Sequence, residues 1–276
     1  AAASTADTIR TLCVQPTTEP MTDQAEPTPS DQSDATSGAS DNSMTDRAWD
    51  DADLADLHQK DDKARRVQQM FADLATSYDQ NNHQHSLGID HLWRRAAVRA
   101  ADVKPGDRVL DLACGTGDLT QAFAKHSEAA SVLGMDFTNE MLDIARQKQQ
   151  ARSDLYADRI QYRQGDAMDL PLEDASFEVV SMAFGIRNVQ QPERAIAECF
   201  RLLVPGGRLV ILEFDQPSIP PVRWFNRVYC EQIMPLTATM LSGDRAGAYR
   251  YLPKSVASFR TRDEMLSEIT RCAVGY

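Results

Sequence analysis

An α/β fold with a doubly wound, mostly parallel, Rossmann-like sheet is the architecture the sequence predicts. Short apolar runs alternate with stretches of helical periodicity between residues 108 and 214, the pattern of successive βα units. The first run, Val109 to Ala113, breaks into Gly115-Thr116-Gly117 and leads into a helical stretch with Leu119, Ala122 and Phe123 on one face. Strand, glycine turn and helix form the entry to a nucleotide-binding unit. Glycine there permits positive φ and lets a ligand approach the backbone.

In chain order, residues 1–50 are expected to be a disordered acidic tail. They are rich in Ala, Ser, Thr, Asp, Gln and Pro, too polar to offset the entropy of ordering. Residues 51–276 are expected to form one domain. Leu54, Leu57, Val67, Met70, Phe71 and Leu74 recur at helix spacing, predicting two helices separated by SYDQNNHQHSLGID, the second being HLWRRAAVRAA. Pro105-Gly106-Asp107 turns the chain into the first strand, and Asp118 is placed to cap the helix after the glycines. Strands are predicted at 131–137, 160–167, 177–185 and 208–214, with helices at 139–150 and 192–203 between them. Pro205-Gly206-Gly207 turns the chain into the last strand. Residues 215–250 break the rhythm. They carry Trp224, Phe225 and Tyr229 and read as a helical insertion over the ligand crevice. A final helix is predicted at 257–271.

Charge and composition exclude several function classes. The net charge is −12, but residues 1–60 contribute −9 of it. The body is nearly neutral without a basic block, so no nucleic-acid partner is expected. Five scattered cysteines form no C-x-x-C pair, which points to reduced thiols and a cytoplasmic compartment. No apolar run reaches the roughly 18 residues of a membrane span.

The spacing narrows the nucleotide. Thr120 stands where a dinucleotide fingerprint needs its third glycine, and a P-loop lysine is absent. Asp136 ends the second strand 19 residues after Gly117, where a carboxylate can accept both ribose hydroxyls. Asp166 and Ala167 end the third strand, and the Asp166 carboxylate is a candidate acceptor for an adenine amino group. Met141 is either a packing surface for adenine or plain core. A glycine turn with two strand-end acids and no phosphate signature suits S-adenosylmethionine, whose methionine end would lie near the turn and Asp111.

The segments VLDLACGTGDLT, GMDFTNEMLDIAR, GDAMDLPLEDASFEVVSMAFGIRNV and LLVPGGRLVILEF together resemble the ubiquinone/menaquinone biosynthesis C-methyltransferases, a family of class I methyltransferases. The more specific signals are FGIRNV (184–189), FADLATSYDQNNHQHSLGIDHLWRR (71–95) and AYRYLPKSV (248–256). The resemblance spans roughly residues 66–276. It implies transfer of a methyl group from S-adenosylmethionine to a ring carbon of a polyprenylated quinol, either demethylmenaquinol or a methoxy-benzoquinol. The alternatives are methylation of another small molecule, or a truncated relative that binds a nucleoside without turnover. Thr116, Asp136, Asp166 and Ala167 match the family's cofactor-contacting positions. Ala183 replaces a Ser found in some members, and Ala113 replaces the first glycine of the wider superfamily. Family members continue past the last helix into two further strands, so the chain ending at RCAVGY is expected to be C-terminally incomplete.

A ring carbon becomes nucleophilic when a neighbouring hydroxyl loses its proton. Arg187 is a candidate to stabilise that phenolate or polarise a water, and Asn188 to orient the water or the substrate oxygen. Tyr78 and His91 are secondary candidates for substrate contact, His91 also as a base. His83 and His85 have no Cys, Asp or Glu cluster beside them to make a metal site. The 215–250 insertion is read either as a wall for the isoprenoid tail, in contact with a membrane surface, or as ordinary cap core. Homodimerisation through it is a further expectation.

Overall fold

The structure, a computed structural model, describes residues 9–14, 62–86, 88–151, 156–215 and 248–274. Its elements are β1 (Ile9–Val14), α1 (Lys63–His85), α2 (Asp90–Ala100), β2 (Arg108–Leu112), α3 (Asp118–His126), β3 (Ser131–Asp136), α4 (Asn139–Gln150) and β4 (Ile160–Gln164). There follow β5 (Phe177–Ala183), α5 (Pro192–Leu202), β6 (Leu203–Phe214), α6 (Ala248–Ala257) and α7 (Arg262–Val274). The sheet order is β1-β6-β5-β2-β3-β4. The five strands from β6 to β4 are parallel, as the alternation predicts.

Each central strand divides its apolar residues between two cores, because successive side chains point to opposite faces. Leu110, Leu112, Val180, Met182, Leu209 and Ile211 face Ile196 and Phe200 of α5 and Met265 and Ile269 of α7. Val109, Val179, Val210 and Leu212 face Ala97 and Val98 of α2 and Phe123 and Ala124 of α3. Both faces being covered explains why these strands read as near-continuous apolar runs.

The chain winds outward from β2 through β3 to β4, then returns to lay β5 on the other side of β2. The reversal opens a crevice at the carboxyl ends of β2 and β5, where such sheets bind ligands.

Three expectations need correction. Ile9–Val14 is a strand, although it lies within the stretch read as a disordered tail. It pairs antiparallel with β6, Ile9 opposite Phe214 and Val14 opposite Leu209. A sheet edge offers a row of open hydrogen-bonding groups, and six residues suffice to take them. Second, α1 runs without a break through Tyr78–His85, most of the predicted separator. Neither Gly nor Pro interrupts it, and the break comes at Gly88 with φ +74°. Third, Asp118 is the first helical residue of α3, and left-handed Gly117 is the cap. The predicted insertion lies outside the described residues from 216 to 247. No described helix is long and apolar enough to cross a membrane.

Candidate active site

The crevice widens into a cleft of about 860 Å³, open mouth included. Four strand ends line it: Ala113 and Gly115 after β2, Asp136 and Phe137 after β3, Asp166 and Ala167 after β4, and Phe184 and Asn188 after β5. Met141 of α4 forms part of the wall, and α1 closes the cleft with Val67, Phe71 and Tyr78.

The glycine turn is built around Asp136. The Cys114 amide donates to the Met135 carbonyl at 3.0 Å, and the Gly115 amide donates to Asp136 Oδ2 at 2.8 Å. Asp136 Oδ1 accepts from the Thr138 amide at 2.8 Å. The carboxylate thus joins the turn after β2 to the start of α4 and keeps further lone pairs on a group that lines the cleft. Burial raises its pKa, and the amide hydrogen bonds oppose that rise. Gly117 has φ +81°, and a Cβ there would lie 2.3 Å from the Tyr162 hydroxyl, so no other residue fits this tight corner.

Thr116 is nearly fully buried and does not line the cleft. Its hydroxyl donates to Asp79 of α1 at 2.5 Å, and Lys148 of α4 donates to the other Asp79 oxygen at 2.7 Å. Lys148 also pairs with Asp118, which Arg94 of α2 meets at 3.2 Å. The Thr116 side chain therefore fastens α1 over the turn, and only its backbone is left for the cofactor contact the resemblance implies.

Asp111 corrects a second expectation. It is buried beneath the turn and absent from the cleft wall. Its two oxygens accept from Thr120 Oγ1 at 2.6 Å and Ser181 Oγ at 2.7 Å. Thr120, the residue that breaks the dinucleotide fingerprint, supplies the first of these donors. Burial pushes the Asp111 pKa up to about 6, against the pull of both hydroxyls. A folded-state pKa above the unfolded one means that ionised Asp111 lowers stability, with the loss growing as pH rises from about 4 to about 6. Asp111→Asn should remove that loss, worth about 2–3 kcal/mol. Thermal unfolding should then show a smaller decline for the variant than for the parent chain between pH 4 and 7. An unchanged pH profile would refute it.

On the side away from β5, Asp166, Ala167, Met141 and Phe137 surround the cleft. The Asp166 carboxylate accepts from the Met168 amide at 2.9 Å, which fixes its orientation. Met141 is only 2% exposed, so it serves core and wall at once. Phe137, passed over in the sequence, is 39% exposed beside Asp136. Its position immediately after a strand-end acid was the available signal.

The turn after β5 departs most from expectation. Phe184 has φ +55°, a strained conformation for a bulky residue. Its carbonyl accepts from Arg187 Nη1 at 2.8 Å and Asn188 Nδ2 at 3.3 Å. Arg187 is 3% exposed and does not line the cleft. It forms an ion pair with Glu213 at 2.5 Å, its guanidinium 5.4 Å from the centre of the Phe214 ring. The guanidinium expected to face a substrate oxygen is instead paired with the buried acid near the end of β6 and is absent from the cleft wall. Burial raises the Glu213 pKa while Arg187 pulls it down. An acid within the apolar run RLVILEF was the signal for this partner.

Asn188 does line the cleft, and the Tyr251 hydroxyl of α6 donates to its Oδ1 at 3.0 Å. Tyr78 also lines the cleft, its ring edge-on to Phe71. His91 is exposed outside it, with Nδ1 2.6 Å from the Gly88 carbonyl oxygen. That places it outside the cleft, against its candidacy as a base there. Among the described residues no His, Cys, Asp and Glu cluster could hold a metal.

A doubly wound sheet with a strand-end acid at its switch point is the architecture of a nucleoside-binding α/β fold, and the family match across residues 58–276 makes it a class I S-adenosylmethionine-dependent methyltransferase. The fold is shared with such an enzyme from Thermotoga maritima, at a TM-score of 0.50 and 22% identity over 74% of this chain and 79% of that one. The chain belongs to the ubiE/COQ5 methyltransferase family, whose model matches residues 58–276. It is 42% identical to a demethylmenaquinone methyltransferase of Deinococcus radiodurans over 79% of this chain and 87% of that one. A Thermus thermophilus enzyme with the same name is 43% identical over 69% of this chain and 84% of its own. A ubiquinone/menaquinone biosynthesis C-methyltransferase UbiE of Geotalea daltonii is 38% identical over 78% and 89%. The chain is accordingly a methyltransferase that uses S-adenosylmethionine.

Proposed function

We propose that this protein transfers the methyl group of S-adenosylmethionine to a ring carbon of a polyprenylated quinol, demethylmenaquinol or a methoxy-benzoquinol. The observation that carries the reading is the family match across 58–276, with relatives bearing both names. Supporting it, the cleft has an acid-lined side on β3 and β4 and an apolar side between Phe184 and α1.

In this reading Asp136 accepts the ribose hydroxyls, while Asp166 and Ala167 meet the adenine edge against Met141. Gly115 and the Thr116 backbone meet the methionine end. The cofactor supplies a methyl already activated on a sulfonium, so the protein's work is positioning and exclusion of water. The acceptor ring lies between Phe184, Tyr78 and Phe71. The free N–H of the Asn188 amide donates to its hydroxyl oxygen and stabilises the charge that develops as the proton leaves to water at the mouth.

Incubation with methyl-labelled S-adenosylmethionine and each quinol tests this. One methyl should appear on a ring carbon of one of the two, located by mass spectrometry and NMR. Label on oxygen, or on neither quinol while S-adenosylhomocysteine still binds, would contradict it.

A further inference from the structure

Lys63 opens α1 and is 1% exposed. A lysine is poorly placed there: a helix N-terminus repels cations, and burial removes the ammonium from water. Desolvation and the nearby Arg187 and Arg260 charges lower its pKa to about 8. Its partners include two backbone carbonyls. Its Nζ donates to the Arg187 carbonyl at 3.0 Å and the Val189 carbonyl at 2.8 Å. Next to it, the Ala64 amide donates to Gln190 Oε1 at 3.1 Å. The first turn of α1 thus grips residues 187–190 through three hydrogen bonds.

The gripped turn carries Asn188, Val189 and Gln190 on one wall of the cleft, and α1 carries Ala64 and Val67 on the facing wall. The same turn includes strained Phe184 at its start. Lys63 thus bridges the two walls, although it lies more than 120 residues from the turn in sequence.

We propose that Lys63 is a positioning residue for the methyl acceptor: it fixes the Asn188 turn against α1, without itself meeting substrate or cofactor. The inference rests on the quinol reading above. The side of the cleft assigned to the nucleoside, at Asp136, Asp166 and Met141, lies on other strand ends, so cofactor affinity should not depend on Lys63. A displacement of roughly 1 Å at a reacting group costs on the order of 100-fold in rate.

The test compares wild type, Lys63→Met, Lys63→Arg and Gln190→Ala. Lys63→Met should lower kcat on the accepted quinol by about 30- to 100-fold. Its affinity for S-adenosylhomocysteine should stay within about threefold of wild type by calorimetry. Lys63→Arg, which keeps donors for both carbonyls, should recover most of kcat. Gln190→Ala, which removes the bond from the Ala64 amide, should lower kcat by about threefold to tenfold and covers the case in which Lys63→Met fails to fold. Wild-type kcat in Lys63→Met or in Gln190→Ala would overturn the inference. So would a parallel loss of kcat and cofactor affinity, or an Arg variant no better than Met. A wild-type enzyme that methylates neither quinol would instead refute the functional reading, before any variant is compared.

Discussion

Replacing Asp136 with alanine should weaken S-adenosylhomocysteine binding by at least about 100-fold, with the fold retained. The carboxylate accepts from the Gly115 and Thr138 amides, so its removal loosens the turn after β2 and the entry to α4 together. Hydrogen bonds to a charged group are worth about 1.5–3 kcal/mol each. Losing the ribose contacts and the ordered turn together reaches the roughly 3 kcal/mol that a 100-fold change requires. Asp136→Asn should fall between, because its oxygen still accepts from one backbone amide while its nitrogen cannot accept from the other. Calorimetric titration reads both, and affinity within threefold of wild type in the alanine variant would refute the assignment.

The second large effect concerns stability. Glu213→Ala should destabilise the domain by about 3–5 kcal/mol, because it leaves the buried Arg187 guanidinium without its counter-charge. For a domain of this size the midpoint of thermal unfolding should fall by about 6–20 °C. Arg187→Met should behave differently. It leaves Glu213 buried, and an acid can shed its charge by taking up a proton. The raised Glu213 pKa rises further without Arg187, so the penalty grows with pH above the ordinary carboxylate range. Arg187→Met should therefore be markedly less stable at pH 8 than at pH 5 relative to wild type. Glu213→Ala should lack that trend over the same range, since arginine stays charged. The double variant Arg187→Met/Glu213→Leu should regain much of the lost stability, because it leaves neither charge unpaired. Glu213 Oε2 and Arg187 Nε have no hydrogen-bond partner among the described residues, so the pair is less than fully compensated even when intact. Equal stability of all four proteins would refute this account of the ion pair.

What was legible in the sequence follows distance along the chain. Asp136 and Asp166 could be placed because one ends β3 and the other follows β4 by two residues, and strand ends are set by local patterning. The glycine turn was legible for the same reason. The role of Asp111 was not, because its second partner, Ser181, lies 70 residues away on the neighbouring strand. An acid inside an apolar run beside a nucleotide turn looks like a ligand contact until that hydroxyl is found. Arg187 misled in the same way. Its motif marked the turn as important, but the direction of the side chain depends on Glu213 of β6. Ile9–Val14 was obscured by composition: six strand-forming residues carry little weight inside a long polar tail, and only β6 gives them a partner. Lys63 left no trace in the sequence reading, since a lysine at the head of an amphipathic helix ordinarily faces water.

The central claim is that one cleft holds the nucleoside on the ends of β3 and β4 and the methyl acceptor against the turn after β5. A crystal structure of the protein with S-adenosylhomocysteine and a quinol analogue measures this most directly. Expected are ribose hydroxyls within hydrogen-bond distance of Asp136, adenine between Met141 and Ala167, and the sulfur facing a quinol ring whose oxygen meets Asn188. A nucleoside bound away from Asp136, or a sulfur turned away from the Asn188 side of the cleft, would contradict it.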